Sequence, residues 1–184
     1  MKKTFGIIWE FLQVVLISLV IIIPIRYYVI QPFFVKGSSM EPTFQDGDYL
    51  IVDELSYHFR GPERGEVIVF RYPQDPKQFY IKRVIGLPGE TIRVADNQIL
   101  IKNNENPKGF FLDESIYLSI GTSGNVEKTL ENNQYFVIGD NRDHSFDSRR
   151  WGELENDLII GKVLFRVWPI ESASAFSSPH YLTP

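Results

Sequence analysis

The chain has 184 residues, 43% of them apolar and 14% aromatic, enough for one domain with a buried core plus an accessory element. It has no cysteine, which excludes thiol nucleophiles, thiolate metal sites and disulfides. The formal charge of −4 is unevenly placed: Lys2, Lys3, Arg26 and Lys36 against Glu10 make residues 1–36 positive, and the remainder is acidic. An acidic remainder argues against a nucleic-acid partner, because phosphate binding needs a positive surface.

The first element is the run Phe5–Ile25, whose only charge is Glu10. As a helix it would span roughly 32 Å, about the hydrocarbon thickness of a bilayer. Three readings compete. A cleaved signal peptide would have a shorter apolar core and a small-residue cleavage site, and Pro24-Ile25-Arg26-Tyr27-Tyr28 offers none. A buried core helix apolar on every face exceeds what a small domain usually hides. An uncleaved signal anchor accounts best for the run. Lys2 and Lys3 then place the N-terminus in the cytoplasm, with the Arg26 charge weakening the rule without reversing it. Tyr27, Tyr28, Phe33 and Phe34 supply aromatics suited to the outer interface, and everything after about Gln31 is expected outside the cytoplasm.

Beyond the anchor, short runs rich in Val, Ile, Phe and Tyr alternate with Gly, Pro, Asp and Asn, which reads as a mainly β domain. Strands are expected at 49–52, 66–71, 80–85, 91–94, 98–101, 134–138 and 162–168, with a hairpin turn at Asp96-Asn97. Residues 103–133 are Asn-, Ser- and Gly-rich without a sustained period and read as an inserted excursion with short strands and a mobile tip. Residues 171–184 look like a loosely held tail. The expected organisation is therefore an anchor over 1–31, a β domain over 32–170 with its excursion at about 96–133, and a tail over 171–184.

Three polar boxes punctuate the β region. The first is Lys36-Gly37-Ser38-Ser39-Met40-Glu41-Pro42-Thr43. The second is Tyr80-Ile81-Lys82-Arg83-Val84-Ile85-Gly86-Leu87-Pro88-Gly89. The third runs Gly139-Asp140-Asn141-Arg142-Asp143-His144-Ser145-Phe146-Asp147-Ser148-Arg149. A serine hydroxyl needs a base within hydrogen-bond reach. The histidines are poor candidates: His180 lies in the tail, His58 sits in a loop with no carboxylate motif, and His144 adjoins Asp143, whose side chain on an extended segment points the other way. A lysine can serve once it loses its proton. At an ordinary pKa, roughly one amine in 2,500 is neutral at pH 7, whereas a fall to about 8 leaves roughly a tenth neutral. On a strand, Tyr80 and Val84 share a face with Lys82 and could desolvate it. From these residues alone, a surface lysine beside Arg83 is the favoured reading of Lys82, and a pair such as Ser38-Ser39 is far more often just a turn.

In this order, behind an apolar N-terminal segment, the three boxes resemble the type I signal peptidase (leader peptidase) family over about Phe34 to Trp168. That resemblance implies a membrane-anchored serine endopeptidase that removes signal peptides from exported preproteins beside the secretion translocon. It implies a mostly antiparallel β catalytic domain on the extracytoplasmic side of the plasma membrane and no cofactor. It places the nucleophile at Ser39, before Met-x-Pro-Thr, with the Ser39 N–H as oxyanion donor, and the general base at Lys82. Some members of the family carry a serine at the position of Gly37 as a second oxyanion donor, so here only a backbone group could act. Ser145 would orient the Lys82 amine, Asp147 would pair with Arg149 to hold the loop, and Gly139 would leave room beside the dyad. Phe34, Val35 and Met40 are candidates for shallow pockets that select small residues.

Other readings stay weaker. A metal site built from Asp140, Asp143, His144 and Asp147 lacks EF-hand spacing and is neutralised by Arg142, Arg149 and Arg150. Gly86-Leu87-Pro88-Gly89 lacks the lysine and following helix of a phosphate loop. A non-hydrolytic β domain for surface assembly would not need both Ser39 and Lys82. A self-cleaving repressor would carry a DNA-binding unit where the apolar run lies, and a penicillin-binding enzyme would show Ser-x-x-Lys where Pro42 stands.

Overall fold

The computed structural model describes residues 2–28, 30–179 and 181; side chains at 1–5, 7, 21 and 23–30 are outside the description. His180 falls outside it too. Helix α1 spans Lys2–Tyr28. Among the described residues no helix is long and apolar enough to cross a membrane. The run Phe5–Ile25 extends at both ends past the described side chains, which cover 6, 8–20 and 22 of this helix.

Among the described residues twelve strands follow: β1 Ile30–Phe34, β2 Tyr49–Asp53, β3 Val67–Tyr72, β4 Asp75–Gly86, β5 Thr91–Ala95, β6 Gln98–Lys102, β7 Phe110–Phe111, β8 Val126–Thr129, β9 Gln134–Ile138, β10 Leu154–Glu155, β11 Ile159–Trp168 and β12 Ser174–Ala175. A short helix α2, Ser148–Trp151, precedes β10. The main sheet runs β1-β2-β11-β3-β4-β9-β10 with β12 also on β11, and a smaller sheet runs β7-β6-β5-β8. Every pairing is antiparallel. The fold is mainly antiparallel β.

Asp96 and Asn97 take φ of 51° and 58° in the β5–β6 turn, the left-handed pair that a tight two-residue hairpin requires. Three differences from the sequence reading stand out. Strand β1 sits where aromatics were assigned to the interface; Pro32 is tolerated there because β1 is an edge strand. The smaller sheet begins at Thr91, not at about 96, because Ile92 and Val94 share an apolar cluster with Ile99, Ile101, Phe136 and Ile138. The tail is docked as far as Tyr181. Ser174–Ala175 pairs with β11, the Phe176 N–H donates to the Leu164 carbonyl at 2.7 Å, and the Tyr181 hydroxyl lies 3.2 Å from that of Tyr117.

A second cluster, containing Val35, Met40, Phe44, Leu50, Val52, Val67, Val69 and Val163, lies under the turn that carries Ser39. Burial of Met40 and Phe44 on either side of Pro42 anchors that turn, at roughly 1.5–3 kcal/mol per large apolar side chain. The site therefore rests on packed apolar residues.

Candidate active site

The Ser39 turn leaves β1 through Gly37, whose φ of +86° is a conformation that side-chain-bearing residues avoid. The Val35 N–H donates to the Asp48 carbonyl and the Gly47 N–H to the Val35 carbonyl, closing the loop over 35–48. The Gly37 N–H donates to Asp46 Oδ1 at 2.6 Å, so it is already engaged. The Ser39 N–H makes no hydrogen bond among the described residues.

Lys82 reaches the same point from the middle of the sheet. In β4 it is opposite Ile68 of β3, and it is only 4% exposed. Its Nζ lies 2.7 Å from Ser39 Oγ and donates to the Ile81 carbonyl at 2.8 Å. The Tyr80 ring lies 5.5 Å from it. Burial pushes the amine pKa down to about 8, against the smaller opposing pull of the Asp147 and Asp140 carboxylates. With the amine neutral, the 2.7 Å contact can run in reverse, the Ser39 O–H donating to Nζ.

The third box braces the pair. The Asn141 N–H donates to the Ser39 carbonyl and its Nδ2 to the Ser38 carbonyl, each at 3.0 Å. Asp140 accepts Arg83 Nε at 2.8 Å, Arg83 Nη2 at 2.6 Å and the Thr43 hydroxyl at 2.5 Å. It thus ties the strand bearing Lys82 to the turn bearing Ser39. Asp147 accepts two bonds from Arg149 at 2.9 Å and the Gly139 N–H at 3.1 Å. A Cβ on Gly139 would run into the Ser39 carbonyl and the Ser145 side chain.

Two expectations need correction. Ser145 Oγ is buried and has no partner among the described residues, while the Lys82 amine bonds Ser39 Oγ and the Ile81 carbonyl. The bond expected from Ser145 to Lys82 is absent, and the backbone carbonyl one residue before Lys82 supplies the second acceptor. Met40 is fully buried beneath the turn and does not line the cleft. Phe34 and Val35 do line it, in a cavity of about 710 Å³ shared with Ser39, Tyr80, Lys82 and Phe146. Phe34 is 58% exposed, so much of its ring is available for contact.

Sequence reasoning missed Arg83, Thr43 and the cleft positions of Phe146 and His144. For Arg83 a signal existed. Two consecutive cations inside an apolar strand point to opposite faces, so if one is enclosed by the site the other must find its own counter-charge. Asp140 and Asp147, two of the residues considered as metal ligands, are instead paired with arginines. Among the described residues no group of three or more His, Cys, Asp or Glu could hold a metal ion.

A buried amine of lowered pKa touching a serine hydroxyl on the wall of an apolar cleft is an arrangement able to perform nucleophilic acyl transfer. The comparisons with known proteins narrow that class. The family model of signal peptidase, peptidase S26, matches residues 8–168. A probable signal peptidase I-2 of Synechocystis sp. is 36% identical over 159 residues, covering 83% of this chain and 70% of the relative. The signal peptidase I of Leptolyngbya laminosa is 34% identical, covering 92% and 84%. The signal peptidase IB of Staphylococcus aureus is 30% identical, covering 92% of each. A crystal structure of a signal peptidase I from Enterococcus faecalis is 28% identical with a TM-score of 0.46, covering 56% of this chain and 97% of that one. The chain belongs to the peptidase S26 family of signal peptidases and is a hydrolase of the signal peptidase I type.

Proposed function

We propose that the chain is a membrane-anchored endopeptidase that removes signal peptides from exported preproteins, with Ser39 as nucleophile and Lys82 as general base. The observation that carries this reading is the 2.7 Å contact between Ser39 Oγ and the Nζ of a lysine whose pKa is lowered to about 8. Neutral Lys82 takes the Ser39 hydroxyl proton as Oγ attacks the scissile carbonyl. The oxyanion develops against the unengaged Ser39 N–H. The Lys82 ammonium then gives its proton to the leaving amine, and the neutral amine activates the water that releases the acyl-enzyme. Gly37 contributes no donor to this scheme, since its N–H is held by Asp46. Asp147 and Arg149 hold the third box, and Gly139 keeps the space between Ser39 and Ser145 open. Phe34 and Val35 line the cleft that receives the substrate as an extended strand.

Helix α1 supports the anchoring. Of its described apolar side chains, Trp9, Phe11, Leu12, Val14 and Leu16 are each more than half exposed. A contiguous apolar surface of this kind calls for a lipid or protein partner. With Lys2 and Lys3 cytoplasmic, the unit 1–31 spans the plasma membrane and the catalytic unit 32–170 lies on its outer side, near the translocon from which preproteins emerge. Ser39 is 14 residues beyond Ile25, so a substrate still held by its own apolar helix presents its cleavage site at matching depth. The test is to incubate the detergent-solubilised full chain with a preprotein and locate the cut by mass spectrometry. A single cut at the end of the signal peptide, absent with Ser39→Ala, is expected; no cut, or one that survives Ser39→Ala, refutes the proposal.

A further inference from the structure

The nucleophile turn and the lysine strand come from distant parts of the sequence, and a third segment touches both. After β12 the chain turns inward, fixed by the Phe176 N–H donating to the Leu164 carbonyl. The Phe176 ring then packs on Phe44 with centroids 5.2 Å apart, and on the Arg83 guanidinium at 5.5 Å. Phe44 directly follows Thr43 in the Ser39 turn, and Arg83 directly follows Lys82 in β4. Arg83 is 1% exposed, covered on another side by the Tyr117 ring at 4.1 Å. Its charge is balanced by Asp140, which also accepts the Thr43 hydroxyl. Further along, Pro179 and Tyr181 close over Gly65, whose carbonyl accepts Arg83 Nη1 at 2.8 Å. The tail thus covers the ionic clamp that joins the two halves of the site.

We infer that Phe176 is a positioning residue for the hydrolysis: its ring, wedged between the Ser39 turn and the Lys82 strand, fixes the separation of nucleophile and base. The inference rests on the Ser39–Lys82 reading above. Phe176 lies outside the cleft, so it touches no substrate and acts only through Phe44 and Arg83. Two physical effects converge on the same outcome. Loss of the ring removes the apolar contact that presses the Ser39 turn down, and it admits water to a cation–carboxylate clamp that is strong because it is dry. A shift of about 1 Å in a reacting pair lowers rates by about 100-fold, and such a shift bears on the chemical step while leaving the substrate cleft as it was.

The test measures kcat and KM on a preprotein for the full-length wild type, Phe176→Ala, Phe176→Leu and Phe176→Val, with near-UV circular dichroism recording the folded fraction. Leu112→Ala, a truncation in the apolar cluster beneath the smaller sheet, is the control for general destabilisation. The expected result is a kcat at least about tenfold lower in Phe176→Ala with KM within about twofold. Phe176→Leu should recover to within about threefold of wild type, with Phe176→Val between it and Ala, since packing volume is progressively restored. If Phe176→Ala does not fold, the order Phe, Leu, Val in kcat decides alone. The inference is overturned if the folded variants keep wild-type kcat, if KM carries the loss, or if Leu112→Ala loses as much kcat. An inactive wild type overturns the proposed function together with this inference, whereas an active wild type with unaffected Phe176 variants overturns this inference only.

Discussion

Asp140→Ala should be the most damaging single change outside the reacting pair, and its effect can be worked out from the contacts it removes. Asp140 is buried and makes two bonds to Arg83, itself 1% exposed, and one to Thr43. Without Asp140 the guanidinium stays enclosed and uncompensated, which costs about 3–5 kcal/mol for a buried pair broken on one side. The orphaned Thr43 hydroxyl is half-buried and can turn to water, adding about 1 kcal/mol at most. Against a total stability of about 5–15 kcal/mol, a loss near 4 is severe. For a chain of this size it lowers Tm by about 8–16 °C. Urea unfolding at 25 °C, followed by circular dichroism on the solubilised enzyme, reads the loss directly. A double variant, Arg83→Met with Asp140→Leu, removes both charges and should recover most of it, because the penalty belongs to the unpaired charge. The reasoning fails if Asp140→Ala unfolds within about 1 kcal/mol of wild type, or if the double variant is less stable than Asp140→Ala.

Ser39→Ala should abolish cleavage with unchanged unfolding, whereas Ser38→Ala should cleave normally, since Ser38 is exposed and its braced group is the backbone carbonyl; the reverse pattern would move the nucleophile by one residue. Lys82→Arg should be inactive in the same cleavage assay, because a guanidinium keeps its proton, while near-wild-type activity would reduce Lys82 to a charge. Gly139→Ala should lose about 100-fold in kcat/KM, because its Cβ would fall within 2.7 Å of Ser145 Cβ and displace the Ser39 carbonyl; full activity would show that the space has no role.

Much of the fold was legible because its strands carry local signals. Alternation in Thr91–Ala95 and Gln98–Lys102, with Asp96-Asn97 between them, marks a hairpin without reference to the rest of the chain. The strand end at Asp75 was not legible, since Lys77 and Gln78 are exposed residues with no apolar alternation. The docked tail was hidden for a different reason. Ser- and Pro-rich composition suggests a loose segment, and only the tertiary partners of Phe176 and Tyr181 hold it down. At the site, Ser39 and Lys82 could be singled out by motif, but their meeting across 43 positions depends on the Asp140 clamp, which no local pattern encodes. Ser145 shows the converse: its place in the third box was readable, but the expected bond is replaced by a backbone carbonyl that any residue at 81 would present.

The central claim is that Lys82, neutral and buried, is the base for Ser39. Its pKa in the fold, about 8, lies below the ordinary lysine value of 10.5, so the fold favours the neutral amine. Below about pH 8 the folded chain carries a protonated buried amine at a cost, which is relieved as pH rises towards the unfolded value. Activity has the same direction. The measurement is kcat/KM for preprotein cleavage against pH, for wild type and His144→Ala, with a chelator present. It should rise about tenfold per pH unit below about pH 8 and level off above it, identically in both proteins. A rising limb centred near pH 6.5 that His144→Ala abolishes, or a limb still climbing beyond about pH 10, would contradict the account.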